Sequence, residues 1–386
     1  MKRLIGFTAA LCLLAIMAGC GGVNSTGTLA YISNSTGTGF TVYNINTDGT
    51  LTRSSISPLN TPEPPQVLQF SPNGKWAYFL DTSGSNIYAY TRAGNGTLAI
   101  QIDVIPVGPG ASSLVVSSNS NFVYVSLPAT KMIATFSIDQ STGDLTQVGS
   151  NALLGVDIIQ LALSPNGSVL FGLSQKGQAV LSFTLTASTG VATLTNTYPV
   201  GNTPEHLIIS PNGLYAYVID SASVYTVPAS GKTTPNIFGF TIGTAGALTP
   251  MPDSPFQENA DASGNYPNTP KGGAVSSDNR YLFVANNGTD NISAYQISST
   301  TGELSEVLGS VSIVNGVSVS TASPFSCTPC KPSFVAVPGG NNALFTLDYA
   351  NNLIYQFLID QNTGKLRAQT PASVGAEGSP TWITIR

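Results

Sequence analysis

The chain has 386 residues, a formal charge of -5, a pI near 4.8 and only 9% charged residues, far below the roughly 25% of an average globular protein. No cluster of Lys and Arg occurs outside the first three residues, so a nucleic-acid partner, which needs clustered cations, is excluded. Length alone would suggest two or three domains, but regular internal repetition overrides that prior.

The first element is a targeting segment. Lys2 and Arg3 precede an apolar stretch, Leu4 to Met17, that is short for a bilayer span and reads as an export signal. Its end, Met17-Ala18-Gly19-Cys20, resembles a bacterial lipobox, in which the Cys is lipidated and becomes the new N-terminus. The expected division is therefore a signal over 1–19, a lipidated Cys20 with a flexible tether over 20–27, and one folded domain over 28–386. Gly21, where inner-membrane retention usually uses Asp, points to the outer membrane or cell surface.

The folded part repeats one unit, clearest at Thr203 to Asp220. His206-Leu-Ile-Ile is a short apolar run, Ser210-Pro211-Asn212-Gly213 is a tight turn, and Tyr215-Ala-Tyr-Val-Ile is a β-branched and aromatic run. The turn recurs as Ser71-Pro72-Asn73-Gly74 and Ser164-Pro165-Asn166-Gly167. It degrades to Ser117-Ser118-Asn119-Ser120, Ser276-Ser277-Asp278-Asn279 and Val337-Pro338-Gly339-Gly340. Each unit closes on a second glycine turn, at Gly49, Gly96, Gly143, Gly190, Gly246, Gly302 and Gly364, with a spacing of 47 over the first four. Four strand signals per unit at this period predict blades of a β-propeller, and seven closing glycines predict seven blades. The first unit lacks its first strand. The chain ends in Ser379-Pro-Thr-Trp-Ile-Thr-Ile385, which matches Thr203 to Ile209, so the C-terminal strand is expected to complete blade 1 and close the ring.

Antiparallel order puts the starts of the first strands and the ends of the second strands on one face. Three insertions, 221–236, 251–269 and 308–331, are expected to project there and to carry Tyr225, Phe256, Tyr266 and Phe325 as a binding face. The same face receives the ends of the second strands: Asn34, Asp81, Leu127, Ser174, Asp220, Asn286 and Asp348. Their carboxylates fit either turn caps or a divalent cation at the central opening. Cys327 and Cys330 are the only cysteines of the folded part. A C-x-x-C pair can be a redox site, half a zinc site or a small disulfide. An exported chain with one histidine and no helix start at the pair favours a disulfide pinning a loop.

His206 is the only histidine. Its equivalents in other units include Val67, Ser113, Gln160 and Gly272, so it is an exception within its column. It suits a general base near the opening, or equally a hydrogen-bonded strand residue between blades. Glu205 and Lys271 fall in one column of adjacent units and are expected to pair.

The unit S-P-N-G-x-x-x-Y-V, then I-x-x-Y-x-I, then T-G-x-L, resembles the YVTN-type repeat and the lactonase family of seven-bladed propellers. That family includes the bacterial 6-phosphogluconolactonase type and fungal carboxymuconate cyclases. The resemblance covers Thr28 to Arg386 and implies the propeller fold. For activity it carries over His206, with Asp220 as a shorter carboxylate where members often end in Asn-Glu. The further His that many members show is missing from Asp157 to Leu163. An anionic substrate would want cationic clamps, and only Lys271, Lys331 and Lys131 are in reach of this face. Two readings result. The preferred one is a lipid-tethered, monomeric binding module for a polar small molecule, glycan or protein, using Glu205, Lys271, Asp81, Asp348, Tyr225 and Tyr266. The alternative is a lactone hydrolase in which His206 activates water and Asp220 orients it.

Overall fold

The computed structural model describes residues 27–37, 39–148, 152–221, 235–257, 269–307, 311–314, 317–320, 323–340 and 342–386. Cys20, Tyr225 and Tyr266 lie outside the described residues. Seven antiparallel sheets of four consecutive positions stand in a ring, with inner strands at Pro65–Phe70, Ser113–Val116, Gln160–Leu163, Pro204–Ile209, Pro270–Val275, Pro332–Ala336 and Pro380–Ile385. The last of these completes blade 1. It pairs with Leu29–Asn34 in the register Ala30↔Ile385 and Ile32↔Ile383, which joins the two ends of the chain and leaves no open seam.

The repeat motif is explained by its local bonds. In blade 5 the Ser210 hydroxyl accepts the Tyr215 N–H at 2.9 Å and donates to Asn212 Oδ1 at 2.7 Å, and the Gly213 N–H closes on Ser210 O at 2.8 Å. The degraded turn of blade 3 keeps the same network through Ser117 and Asn119, with Ser120 taking the positive φ of 59° that Gly takes elsewhere. The hydroxyl and the Asx side chain therefore hold this turn, and Pro is dispensable. Each second strand is buried along all six residues, because strands flank it within the sheet and blades cover both faces. That double burial is why these strands read as continuous apolar runs.

The closing glycines are the joints between blades. A Cβ on Gly143 would lie 2.4 Å from Cδ1 of Trp76 in the preceding blade, and its φ of +84° suits glycine. Tyr78 Oη, also from that blade, donates to Gly143 O at 2.8 Å. Tyr31 and Tyr217 make the same bond to Gly96 O and Gly302 O. One blade's aromatic side chain thus rests on the next blade's turn, which ties the spacing of the glycines to the packing of the ring.

Of the three insertions, 221–236 lies outside the described residues except at its ends, and the described parts of the other two differ from expectation. Phe325–Ser326 pairs with Asn291 and Ile292, and so resumes the outer strand of blade 6 that began at Leu304–Glu306. The ends of the intervening excursion are joined by a Ser323 N–H to Val307 O bond of 3.0 Å. Part of the excursion is a hairpin, Val311–Val314 with Val317–Ser320. It therefore leaves from within the outer strand, at the rim, and not from the face at the channel mouth. Phe256 likewise belongs to a short outer strand in blade 5. Both Phe256 and Phe325 are buried, so they are core residues and not binding aromatics.

Candidate functional site

Each inner strand is a sheet edge whose outward N–H and C=O groups need partners. Side chains of the neighbouring blade supply several of them. Gln160 in blade 4 takes both groups of Leu207 in blade 5: its Oε1 accepts the N–H at 2.7 Å and its Nε2 donates to the carbonyl at 3.0 Å. Ser113 Oγ accepts the Leu161 N–H at 3.0 Å across the seam between blades 3 and 4. His206 does the corresponding job one seam further on, where its Nδ1 accepts the Gly273 N–H at 3.2 Å.

That bond has a chemical consequence. For Nδ1 to accept, the neutral ring carries its proton on Nε2, so the ring is a donor at the nitrogen left for a ligand. The residue is half-buried, and desolvation by the surrounding protein pushes its pKa down to about 4. The imidazole is neutral at pH 7. Its neighbour on the column is Gly272, and the missing side chain lets Phe334 of blade 7 approach, with ring centroids 5.7 Å apart. Phe334 in turn meets Trp382 of blade 1 at 4.7 Å. In this column of inner-strand positions the aromatic side chains fall on blades 7 and 1, and Ser113, Gln160 and His206 fall on blades 3 to 5. The family pattern points to His206 alone. Phe334 and Trp382 become visible only when Pro332–Ala336 and Pro380–Ile385 are aligned in the same column.

Asp220 is not beside His206. His206 lies opposite Ile219 in the register, so the two share a sheet face, and Asp220, the next residue, points to the other. The bonds agree with this. Ile219 lies against Gly273 of blade 6, whereas Asp220 Oδ1 accepts from the Thr203 N–H at 3.1 Å and from its hydroxyl at 3.2 Å, on the approach from blade 4. A dyad of His206 and Asp220 would have to act through the sheet.

The other carboxylates of the face bind their own loops. Asp81 accepts from Ser83 Oγ, Ser85 N and Asn86 Nδ2, and Asp348 from Ala350 N, Asn351 N, Asn351 Nδ2 and Lys331 N, all within 3.1 Å. These are cap bonds, one of the two roles open to these positions. Among the described residues no three of His, Cys, Asp and Glu are grouped closely enough to hold a metal ion. Cys327 and Cys330 are joined as a disulfide. It lies in the loop before Pro332, where Cys327 N–H donates to Asp290 O at 2.9 Å.

The cationic clamps divide in two. Lys271 pairs with Glu205 at 3.0 Å, as the columns predict, and Glu205 Oε1 also accepts from Ser221 Oγ. Lys331 pairs with Asp290 at 2.6 Å. Lys131 and the unanticipated Lys176 instead flank a cavity of about 310 Å³ between blades 3 and 4, with Asp157 in its lining, and neither has an ion-pair partner among the described residues.

Residues 103–208 match the family described as Lactonase, 7-bladed beta-propeller. No curated relative matches the chain in sequence. Among solved structures, a candidate 6-phosphogluconolactonase of Bacteroides uniformis superposes with a TM-score of 0.71 at 17% identity, covering 93% of this chain and 99% of that one. The periplasmic gluconolactonase of Pseudomonas aeruginosa does so with a TM-score of 0.71 at 18% identity, covering 93% and 98%. The hydrazine synthase of Kuenenia stuttgartiensis also aligns, with a TM-score of 0.62 at 15% identity over 86% and 92%, so the architecture serves unrelated chemistries. The chain is a seven-bladed propeller with a lactonase-like fold.

Proposed function

We propose that this propeller hydrolyses a sugar-type lactone in its central channel, with His206 as the electrophile. The observation that carries the reading is the neutral imidazole, which accepts from Gly273 through Nδ1 and has its proton on Nε2. Donated to a lactone carbonyl oxygen, that N–H would stabilise the oxyanion formed when water attacks the carbonyl carbon. The ring C–O bond then breaks, a proton of the attacking water passes to the departing ring oxygen, and the hydroxy acid leaves. Phe334 and Trp382 offer an apolar wall to the lactone ring. The likeness to gluconolactonase structures and the family match over 103–208 support this reading over a binding role alone.

One observation favours the second reading, a non-catalytic module for a polar ligand. The lone pair of His206 and the carboxylates Asp81, Asp220 and Asp348 already serve protein donors. Assays of glucono-, 6-phosphoglucono-, muconate-derived and acyl lactones with wild type and His206→Ala, which has no side-chain donor, decide between them. Removing one oxyanion donor is expected to cost about 100-fold or more in kcat. Absence of turnover across the panel defeats the hydrolase.

A further inference from the structure

We propose that Arg92, Arg386 and Lys75 form a docking site for the phosphate of an anionic membrane lipid, on the face from which the N-terminal segment leaves the propeller. This is the face of the tight turns, opposite the ends of the second strands. The cluster is invisible in the sequence because ring closure assembles it. Arg386, the end of the closing strand, lies over the turn Ser71 to Gly74 of blade 2, its Nη2 donating to Pro72 O at 2.9 Å. Arg92 ends the third strand of that blade, and its backbone N–H bonds to Lys75 O at 2.8 Å. Its guanidinium is held over Phe70 at 5.5 Å, and the Lys75 ammonium over Trp76 at 5.6 Å.

Two features point to an anion. None of the three cations has an ion-pair partner among the described residues, and Arg92 Nε, buried, has no hydrogen-bond acceptor. Arg386 is held in place by the ladder, its backbone O accepting the Leu29 N–H at 2.7 Å. Arg92 and Arg386 open onto a cavity of about 200 Å³ also lined by Gly27, Leu29 and Asn95. That is below the roughly 300–1,000 Å³ of ordinary ligand pockets, so it suits a headgroup phosphate gripped by planar guanidinium forks.

The membrane as its source follows from position. Gly27 lies in the cavity wall, and six residues, or seven Cα-to-Cα steps, separate it from Cys20, the expected lipid anchor. Fully extended they span about 24 Å, which keeps this face near the bilayer. A chain of net charge -5 is otherwise repelled by an anionic surface, so a local basic cluster is needed for contact. Docked this way, the propeller turns its channel mouth away from the membrane.

The test is sedimentation of the full chain carrying Cys20→Ser with vesicles of one part phosphatidylglycerol to two parts phosphatidylcholine, and with phosphatidylcholine alone. Lys75→Gln/Arg386→Gln, both exposed positions, is compared with its parent after matching thermal melts. Lys2 and Arg3 are common to both chains, so the difference reads the cluster. Partition onto the phosphatidylglycerol vesicles should weaken about fivefold per charge removed, and the loss should shrink as salt rises. Equal partition of parent and variant overturns the proposal. So does variant-sensitive binding of inorganic phosphate without any difference on vesicles, which would make the site one for a soluble anion.

Discussion

The seam between blades 4 and 5 and the seam between blades 5 and 6 solve one problem with two side chains. Gln160 satisfies both edge groups of Leu207, whereas His206 satisfies only the N–H of Gly273. An amide would therefore serve the second seam structurally. What imidazole adds there is a proton on Nε2 and a titration, neither of which the edge strand requires. A catalytic role for His206 must accordingly be separated from the clip that any good acceptor could form.

The most severe way to break a seam is to remove it. Deleting Pro380 to Arg386 takes away the inner strand of blade 1 and its contacts on both sides, including the Thr384 hydroxyl to Leu68 O bond of 2.7 Å. Thermal melts should show a drop on the order of 10 °C or more, or no cooperative transition. A melt unchanged by the deletion would contradict ring closure. Gly143→Val attacks a different joint, forcing a branched side chain onto Trp76 at a positive φ. Urea unfolding should report a loss of about 3 kcal/mol.

The two clips are compared directly by substitution. His206→Ala leaves the Gly273 N–H without its acceptor and should cost about 1–2 kcal/mol, whereas His206→Gln should restore most of that by copying Gln160. If the two variants were equally unstable, the clip reading of the seam would fail. Acid sharpens the same contrast. The folded pKa of His206 is about 4, below the ordinary value of about 6.5, so between these values the unfolded chain binds the proton and the folded chain does not. Its contribution to stability is full above pH 6.5 and is lost as pH falls towards 4. The His206→Gln variant should lack this component in urea midpoints measured across that window. The smallest effect belongs to the exposed Glu205–Lys271 pair between the same two blades. A double-mutant cycle should give less than about 1 kcal/mol, shrinking with added salt.

Some of the site could be read without coordinates. The pairing of Glu205 with Lys271 follows from column alignment, because adjacent inner strands run side by side in register around the channel. His206 stands out in the same way, although its bond to Gly273 depends on a side-chain orientation that the alignment does not contain. Phe325 misleads for a physical reason. It follows a long insertion and reads as part of it, whereas the chain has by then rejoined the outer strand of blade 6 and buried the ring. Asp220 misleads through alternation: two residues close in a motif can lie on opposite faces of one sheet.

The amino-acid sequence by itself determined the architecture, the number of blades and the partner of the C-terminal strand. Repetition multiplies a weak local signal sevenfold, and a ring requires the missing strand to come from the other end. Only the tertiary structure decided which groups share a space. It brought Phe334 and Trp382 to His206 across a glycine, separated Asp220 from it, and set Arg386 over the turn of blade 2 at one cavity with Arg92. Such proximities arise where separate blades and loops meet, and the period that identifies each strand carries no information about what crosses the seam beside it.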